Sequence, residues 1–337
     1  SMLMSSSIVA KIHPKAIITL DRTNVKRNIF GLFAVWTWIG WITFYALIFP
    51  VISVVLYYYQ KSLLAGLFIA IIISAFSTIA REKQPKFLMA FGEWLMQRAA
   101  DFYQMRVIVE DKEGLEKCGP AIFALEPHDV LPISIFAFND CIRGFGGHKC
   151  LGCLTSLVFS VPLMRHVYTW VNAYSVEKKS LIKAIKKGYS PVICPGGVQE
   201  VTLLERPDEV VMYLKSRKGF VKLALQHGMP IVPVVTFGLR QAFSSYVPKG
   251  KIFADIGRKM GALPMVFFGF GNIPFAPGRA CRLVNVIGPP IHVPVATEQP
   301  SEEAIDKYHG LYIEETKRIF HEYKATFGME HFSLRIV

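Results

Sequence analysis

The sequence predicts an α/β fold, a mixed sheet flanked by helices, preceded by a membrane-embedded helical hairpin. Three observations carry this expectation. Between Asn28 and Ala80 the only charged residue is Lys61, and uncharged runs of that length rarely belong to soluble folds. Downstream, short apolar runs alternate with helix-period patterns, the mark of βαβ units. The 337-residue chain is also charge-poor, with 19% charged and 52% hydrophobic residues, where an average soluble domain carries about 25% charged residues. So much apolar surface excludes a disordered chain. The 25 Gly, 20 Pro and 6 Cys are ordinary numbers that exclude collagen-like and disulfide-scaffold classes.

Residues 1–27 read as a cytosolic N-terminal segment ending in the basic pair Lys26-Arg27. Residues 28–80 read as a transmembrane or re-entrant hairpin. One crossing takes roughly 20 apolar residues, so the uncharged run 29–59 is too long for a single straight span. Pro50 can break it, and Gln60-Lys61 separates it from a second run at 62–80. We therefore place a first span at 29–49, a turn at 50–61 and a second span at 62–80. Lys26 and Arg27 precede the hairpin, and Arg81, Lys83 and Lys86 follow it. Basic flanks favour the cytoplasm, and a hairpin returns the chain to the side it left, so both termini should be cytosolic. The apolar run is too long for a cleavable signal peptide and lacks a small-residue cleavage site.

Residues 81–337 read as one cytosolic α/β domain. Strands are expected at 121–125, 191–194, 231–237 and 282–287. Helices are expected at 177–187, stopped by Gly188, at 217–227, ended by Gly228, and at 302–327, closed by Gly328. Six cysteines without framework spacing suit free thiols in a reducing compartment. His148, Cys150 and Cys153 lack a second Cys/His pair to complete a zinc site, so no metal is expected. The apolar stretch 263–275, with Phe267, Phe268, Phe270 and Phe275, suits a membrane-dipping loop, the wall of an acyl tunnel or plain core packing.

Three motifs can carry chemistry. Glu126-Pro127-His128-Asp129 follows the first strand of the domain, and α/β sheets gather ligands at the carboxyl ends of their strands. A neutral imidazole there can accept a proton near pH 7, while an ordinary polar turn would use the same residue types. Pro195-Gly196-Gly197-Val198-Gln199-Glu200 follows another strand. Paired glycines expose N–H groups that can hold an oxyanion, and Glu200 can orient an imidazole through its second nitrogen; a tight turn with a solvated Glu is the plainer account. Arg217-Lys218-Gly219-Phe220-Val221-Lys222 opens a helix. Cations there oppose the helix dipole, so helix stability does not explain them, whereas phosphate binding does; a solvated basic face explains them as well.

The net charge of +13 calls for an anionic partner. A nucleic acid is excluded, because the basic residues lack interleaved exposed aromatics and a membrane hairpin has no role there. Gly269-Phe270-Gly271 lacks the third glycine and the strand-to-helix setting of a dinucleotide fingerprint.

Taken in order, Glu126-Pro127-His128-Asp129, Phe159-Ser160-Val161-Pro162-Leu163-Met164-Arg165-His166, Pro195-Gly196-Gly197-Val198-Gln199-Glu200 and Arg217-Lys218-Gly219-Phe220-Val221-Lys222 resemble the type-2 diacylglycerol acyltransferase family. The Glu-Pro-His form is similar to plant and algal members, and the family sits within the glycerolipid-acyltransferase-like superfamily. The resemblance implies that fold for residues 81–337, with His128 as catalytic base and Glu200 and Glu126 beside it. It also implies Arg217, Gly219, Phe220 and Lys222 as an acyl-CoA or phosphate element. Three positions depart from the pattern: Asp129 replaces a small residue, Ile133 stands where the wider superfamily has an Asp, and Tyr103-Gln104-Met105 replaces Tyr-Phe-Pro. The second departure leaves Glu200 or Asp129 to orient His128, and Glu200 is favoured.

The implied reaction is acyl transfer from acyl-CoA, as co-substrate, to diacylglycerol, with no cofactor and with Gly196 and Gly197 as oxyanion donors. Monoacylglycerol, a long-chain alcohol and phytol are alternative acceptors, and a non-catalytic lipid-droplet or membrane scaffold is the alternative class. The implied setting is the endoplasmic reticulum membrane or lipid droplets, with membrane lipids as partners and a homo-oligomer left open.

Overall fold

A computed structural model describes residues 12–76, 85–138, 148–161, 164–248 and 265–337 of the chain. Its strands, in chain order, are β1 (Ile17–Asp21), β2 (Arg106–Val109), β3 (Ile122–Glu126), β4 (Lys149–Leu154), β5 (Tyr174–Ser175), β6 (Tyr189–Ile193), β7 (Glu209–Met212), β8 (Ile231–Phe237), β9 (Ser244–Tyr246), β10 (Val266–Phe268), β11 (Val284–Ile287) and β12 (Ser333–Ile336). Eight of them form one mixed sheet in the order β1-β2-β11-β8-β3-β6-β4-β5. At its centre β3 lies parallel to β8 on one side and to β6 on the other. Every residue of β3 and β8 is buried, which is why both read as unbroken apolar runs rather than as alternating ones.

The sheet separates two cores. On β3, Phe123 and Leu125 enter one together with Trp38, Leu95 and Phe136. Ile122 and Ala124 enter the other, with Val221, Phe237, Tyr312 and Phe320. The period of two along the strand sends alternate side chains to opposite faces.

The helices are α1 (Ile29–Thr43), α2 (Phe49–Tyr59), α3 (Lys61–Phe76), α4 (Lys86–Phe102), α5 (Lys112–Lys117), α6 (Met164–Trp170), α7 (Lys178–Lys186), α8 (Gln199–Thr202), α9 (Gly219–His227) and α10 (Glu302–Tyr323). Asn28 caps α1 by accepting from the Gly31 N–H. A π segment, Phe44–Ile48, joins α1 to α2, so that Ile29–Tyr59 is one apolar helix long enough to cross a membrane.

The turn expected at 50–61 is corrected here. Pro50 does not end the helix, because it directly follows the π segment, where the Phe49 N–H already reaches back five residues to Phe44 O and the widened turn accommodates the proline ring and its missing N–H. The break is Gln60 alone (φ −150°, ψ 77°). Beyond it α3 folds back on α2, and the Phe49 and Phe68 rings lie 5.4 Å apart. The expected second span continues past residue 76 into residues outside those described.

The two halves of the apolar region differ. In α1, Ala34, Val35, Trp38 and Ile39 are buried on the α/β domain. A Cβ on Gly31 would sit 3.1 Å from Phe102 Cβ of α4, so the glycine permits close helix packing. By contrast Val51, Val54, Tyr58, Leu63 and Ile69 of α2 and α3 are exposed.

Within the domain the helix of 177–187 and the strand of 231–237 fall where expected. The C-terminal helix ends at Tyr323, and a 3-10 turn, Ala325–Phe327, carries the chain to Gly328 at φ +70°. Strand β12 was not expected; it pairs in parallel with β7, and Arg335 bonds Glu209 at 3.0 Å. Of the apolar stretch 263–275, Phe267 packs in the core 5.6 Å from Phe243 and 5.5 Å from Phe275, whereas Phe270 is exposed.

Candidate active site

Strands β3 and β6 are parallel neighbours, with Ala124 opposite Ile193. The loops leaving their carboxyl ends therefore lie side by side, and these loops carry Glu126–Asp129 and Pro195–Glu200. The Gly196 N–H donates to Glu126 Oε1 at 2.7 Å. From the first turn of α8, Glu200 Oε2 accepts from the backbone N–H of His128 (2.6 Å) and of Asp129 (3.2 Å), and Oε1 accepts from the Tyr213 N–H (3.2 Å). One carboxylate thus ties three segments together. A Cβ on Gly196 would fall 1.9 Å from Glu200 Oε1, so only glycine fits there.

Glu126 and Glu200 are both fully buried, and Glu126 Oε2 has no hydrogen-bond partner among the described residues. Two carboxylates in contact in a dry site cannot both ionise. Burial pushes Glu126 up to about 7, against the pull of the Glu200 carboxyl, the Gly196 N–H and Arg217. Burial and the Glu126 charge hold Glu200 well above the usual range. The pair therefore keeps a proton well above the usual carboxylate range.

His128 is half-buried. Its Nδ1 lies 2.8 Å from the Asp129 carbonyl oxygen. A carbonyl only accepts, so Nδ1 carries the hydrogen and Nε2 keeps its lone pair. Burial lowers the pKa of His128, so the ring is neutral at pH 7. Asp129 adopts φ +47° and is 1% exposed. Its Oδ1 accepts from the Val130 N–H at 2.6 Å, and its Oδ2 pairs with Arg240 Nη1 at 3.4 Å.

Several expectations change at this point. Glu200 does not reach the imidazole: it grips the backbone of His128 and Asp129, and the Asp129 carbonyl fixes the ring. The Gly196 N–H is taken by Glu126, which leaves Gly197, at φ +62°, as the oxyanion candidate of the two. Arg217 and Lys218 precede α9 rather than opening it. Arg217 stacks on Tyr213 at 5.0 Å and acts on Glu126. Lys222 and Gly219 are exposed, and a Cβ on Gly219 would meet nothing within 4 Å. Phe220 faces the core instead, 5.0 Å from Tyr312. Burial and the two glutamates raise the Cys194 thiol well above its usual value, so it is a poor nucleophile. His148 spends its ring nitrogens on Leu115 O (2.8 Å) and Ser190 Oγ (3.1 Å).

Two groups at the site were missed. Arg240 stands in the turn Leu239–Gln241 at the carboxyl end of β8, next to β3. The strand-end rule that drew attention to His128 would have found it. Asn285 of β11 donates to Ser134 O at 3.0 Å and accepts from Thr236 at 2.9 Å. This bridge braces the 3-10 turn Ile133–Ala137, and no local signal marks it.

Residues 54–336 match the sequence model of the diacylglycerol acyltransferase family. The chain belongs to that family. It is 31% identical over 264 residues to 2-acylglycerol O-acyltransferase 1 of Homo sapiens, covering 71% of this chain and 76% of that protein. It is 33% identical over 239 residues to diacylglycerol O-acyltransferase 1 of Eremothecium gossypii, covering 64% of this chain, and it spans about half the length of that relative. Diacylglycerol O-acyltransferase 2 of Dictyostelium discoideum is 31% identical, covering 66% of this chain and 71% of that protein. Among solved structures, the 1-acyl-sn-glycerophosphate acyltransferase PlsC of Thermotoga maritima is similar at 18% identity and a TM-score of 0.42, covering 89% of this chain and 98% of that one.

Proposed function

We propose that this chain transfers an acyl group from acyl-CoA to the free hydroxyl of diacylglycerol, forming triacylglycerol at a membrane surface. The observation that carries this reading is the imidazole of His128, neutral and with Nδ1 engaged, at the carboxyl end of the central strand. Nε2 takes the proton of the acceptor hydroxyl as its oxygen attacks the thioester carbonyl. The tetrahedral oxyanion is held by the Gly197 N–H, a contribution of about 3 kcal/mol for such a donor. Collapse breaks the carbon–sulfur bond, and the proton passes from Nε2 to the departing CoA thiolate. The thioester is already activated, so this reading assigns no cofactor. The raised Cys194 thiol favours direct transfer over an acyl-enzyme. Arg217 and Lys222 supply charge for the CoA phosphates, and the open space at Gly219 lets them approach.

The lipid acceptor reaches the site from the bilayer. The exposed apolar surface of α2 and α3 has no account in a soluble monomer. The π segment and α2 together rise about 24 Å, short of a hydrocarbon core of about 30 Å. We therefore read α2 and α3 as a re-entrant hairpin in the cytosolic leaflet of the endoplasmic reticulum or a lipid droplet. Trp38 of α1, 5.7 Å from Phe136 in the turn after His128, couples this hairpin to the site.

The test uses the full chain in nanodiscs with labelled oleoyl-CoA and a panel of diacylglycerol, monoacylglycerol, hexadecanol and phytol. Triacylglycerol is expected, and His128→Ala should lower its rate by at least about 100-fold, the scale of general-base catalysis. Equal transfer by the variant would remove His128 as base. Diacylglycerol formed from monoacylglycerol would support the second reading, which the human 2-acylglycerol relative favours. Absence of product with every acceptor of the panel would leave the non-catalytic scaffold.

A further inference from the structure

We propose that Arg240 is a positioning residue: by pairing with the buried carboxylate of Asp129 it holds the left-handed turn whose carbonyl fixes the imidazole of His128. The inference rests on His128 as base, and it concerns a residue 111 positions away in sequence.

Asp129 is the junction of the site, since each of its polar groups holds a different neighbour. Its N–H is given to Glu200 Oε2, its carbonyl receives His128 Nδ1–H, Oδ1 caps the Val130 N–H, and Oδ2 faces Arg240. A non-glycine residue at φ +47° persists only where its surroundings hold it. Its side chain is 1% exposed and that of Arg240 15%, so the pair is largely removed from water. A buried carboxylate that loses its counter-charge must take up a proton or turn outward. Turning outward rotates the Asp129 peptide and draws its carbonyl off Nδ1, which releases the ring.

Arg240 is itself held in place. Gly238 stands between β8 and the turn at φ +90°, where a Cβ would fall 2.1 Å from Arg282 O. From that turn Nη2 also donates to Arg206 O at 3.4 Å. The guanidinium thus spans the loop after α8 and the loop after β3.

A phosphate-binding arginine would be the rival role, and the two give different kinetics. Arg240→Met, Asp129→Asn and the double variant are assayed in nanodiscs beside His128→Ala. Asn keeps the acceptor for the Val130 N–H, tolerates positive φ and needs no counter-charge. Arg240→Met should lower kcat by about 30-fold, within the range of directly coupled pairs, while KM for oleoyl-CoA stays within about twofold. The double variant should recover to the level of Asp129→Asn alone. If Arg240→Met does not accumulate as folded protein, recovery of yield and Tm in the double variant supports the pairing, and an unfolded double variant overturns it. Losses that multiply, or a raised KM with unchanged kcat, would overturn it too. Transfer surviving in His128→Ala would defeat the base reading on its own. A dead His128→Ala beside multiplying losses would defeat only the role of Arg240.

Discussion

Glu126 and Glu200 show how two residues of one chemistry take separate tasks. Each carries bonds that the other does not make, and a proton retained at the pair relieves the charge. A carboxyl whose pKa is raised on folding holds its proton where the unfolded chain has lost it, so stability falls as pH rises. For Glu126 the window runs from the ordinary value of 4.5 to about 7. Glu126→Gln keeps a carbonyl for the Gly196 N–H and carries no titrating proton. Thermal melts should therefore show Glu126→Gln gaining on the wild type as pH rises from about 5 to about 7.5. A constant difference across that range would mean that Glu126 does not retain its proton on folding.

The element scale is set by the glycines of two loops, which have opposite reasons to be glycine. Gly196 has no room: a Cβ would overlap Glu200 Oε1 at 1.9 Å. Gly196→Ala should cost about 1–3 kcal/mol, as overpacking does, and should lower kcat with it, because Glu200 holds the backbone of His128. Gly219 has open space at the start of α9. Gly219→Ala should leave Tm unchanged or slightly raised and should raise KM for acyl-CoA, because a methyl group blocks the approach to the helix N-terminus. Melting curves and saturation kinetics on the two variants separate the cases, and a Gly219→Ala with unchanged KM would move CoA away from α9. Both motifs were legible in sequence, Gly196-Gly197 as a turn after a strand and Gly219 within a basic stretch opening a helix. Which glycine faces a carboxylate and which faces solvent was not, since that depends on how β3 and β6 align.

For the whole molecule, the question is how one chain carries both an α/β domain and an exposed apolar helix pair. The basic charge and the charge-free region 29–59 were evident in the sequence. The division of that region was not: α1 covers the domain while α2 and α3 stand free. Hydropathy is blind to this difference, because a buried core helix and a lipid-facing helix have the same composition. The re-entrant reading predicts that Lys61→Cys, at the tip beside Gln60, resists an impermeant maleimide added to either side of sealed microsomes and reacts after detergent. Labelling from the lumen alone would establish a full crossing.

What the sequence determined by itself is what one dimension encodes. The unbroken apolar runs of β3 and β8, the helix period of α7 and α10, the uncharged stretch and the order of four motifs need no partner to be read. Together they place the motifs of His128 and Glu200 in the segments that follow strands of an α/β fold. The tertiary structure decided which atoms meet. Glu126 finds the N–H of Gly196 across 70 residues, and Asp129 finds Arg240 across 111, because the sheet places β6 and β8 on either side of β3. Side-chain pairing is set by strand order and register, and these follow from the packing of the whole chain rather than from any local stretch of it.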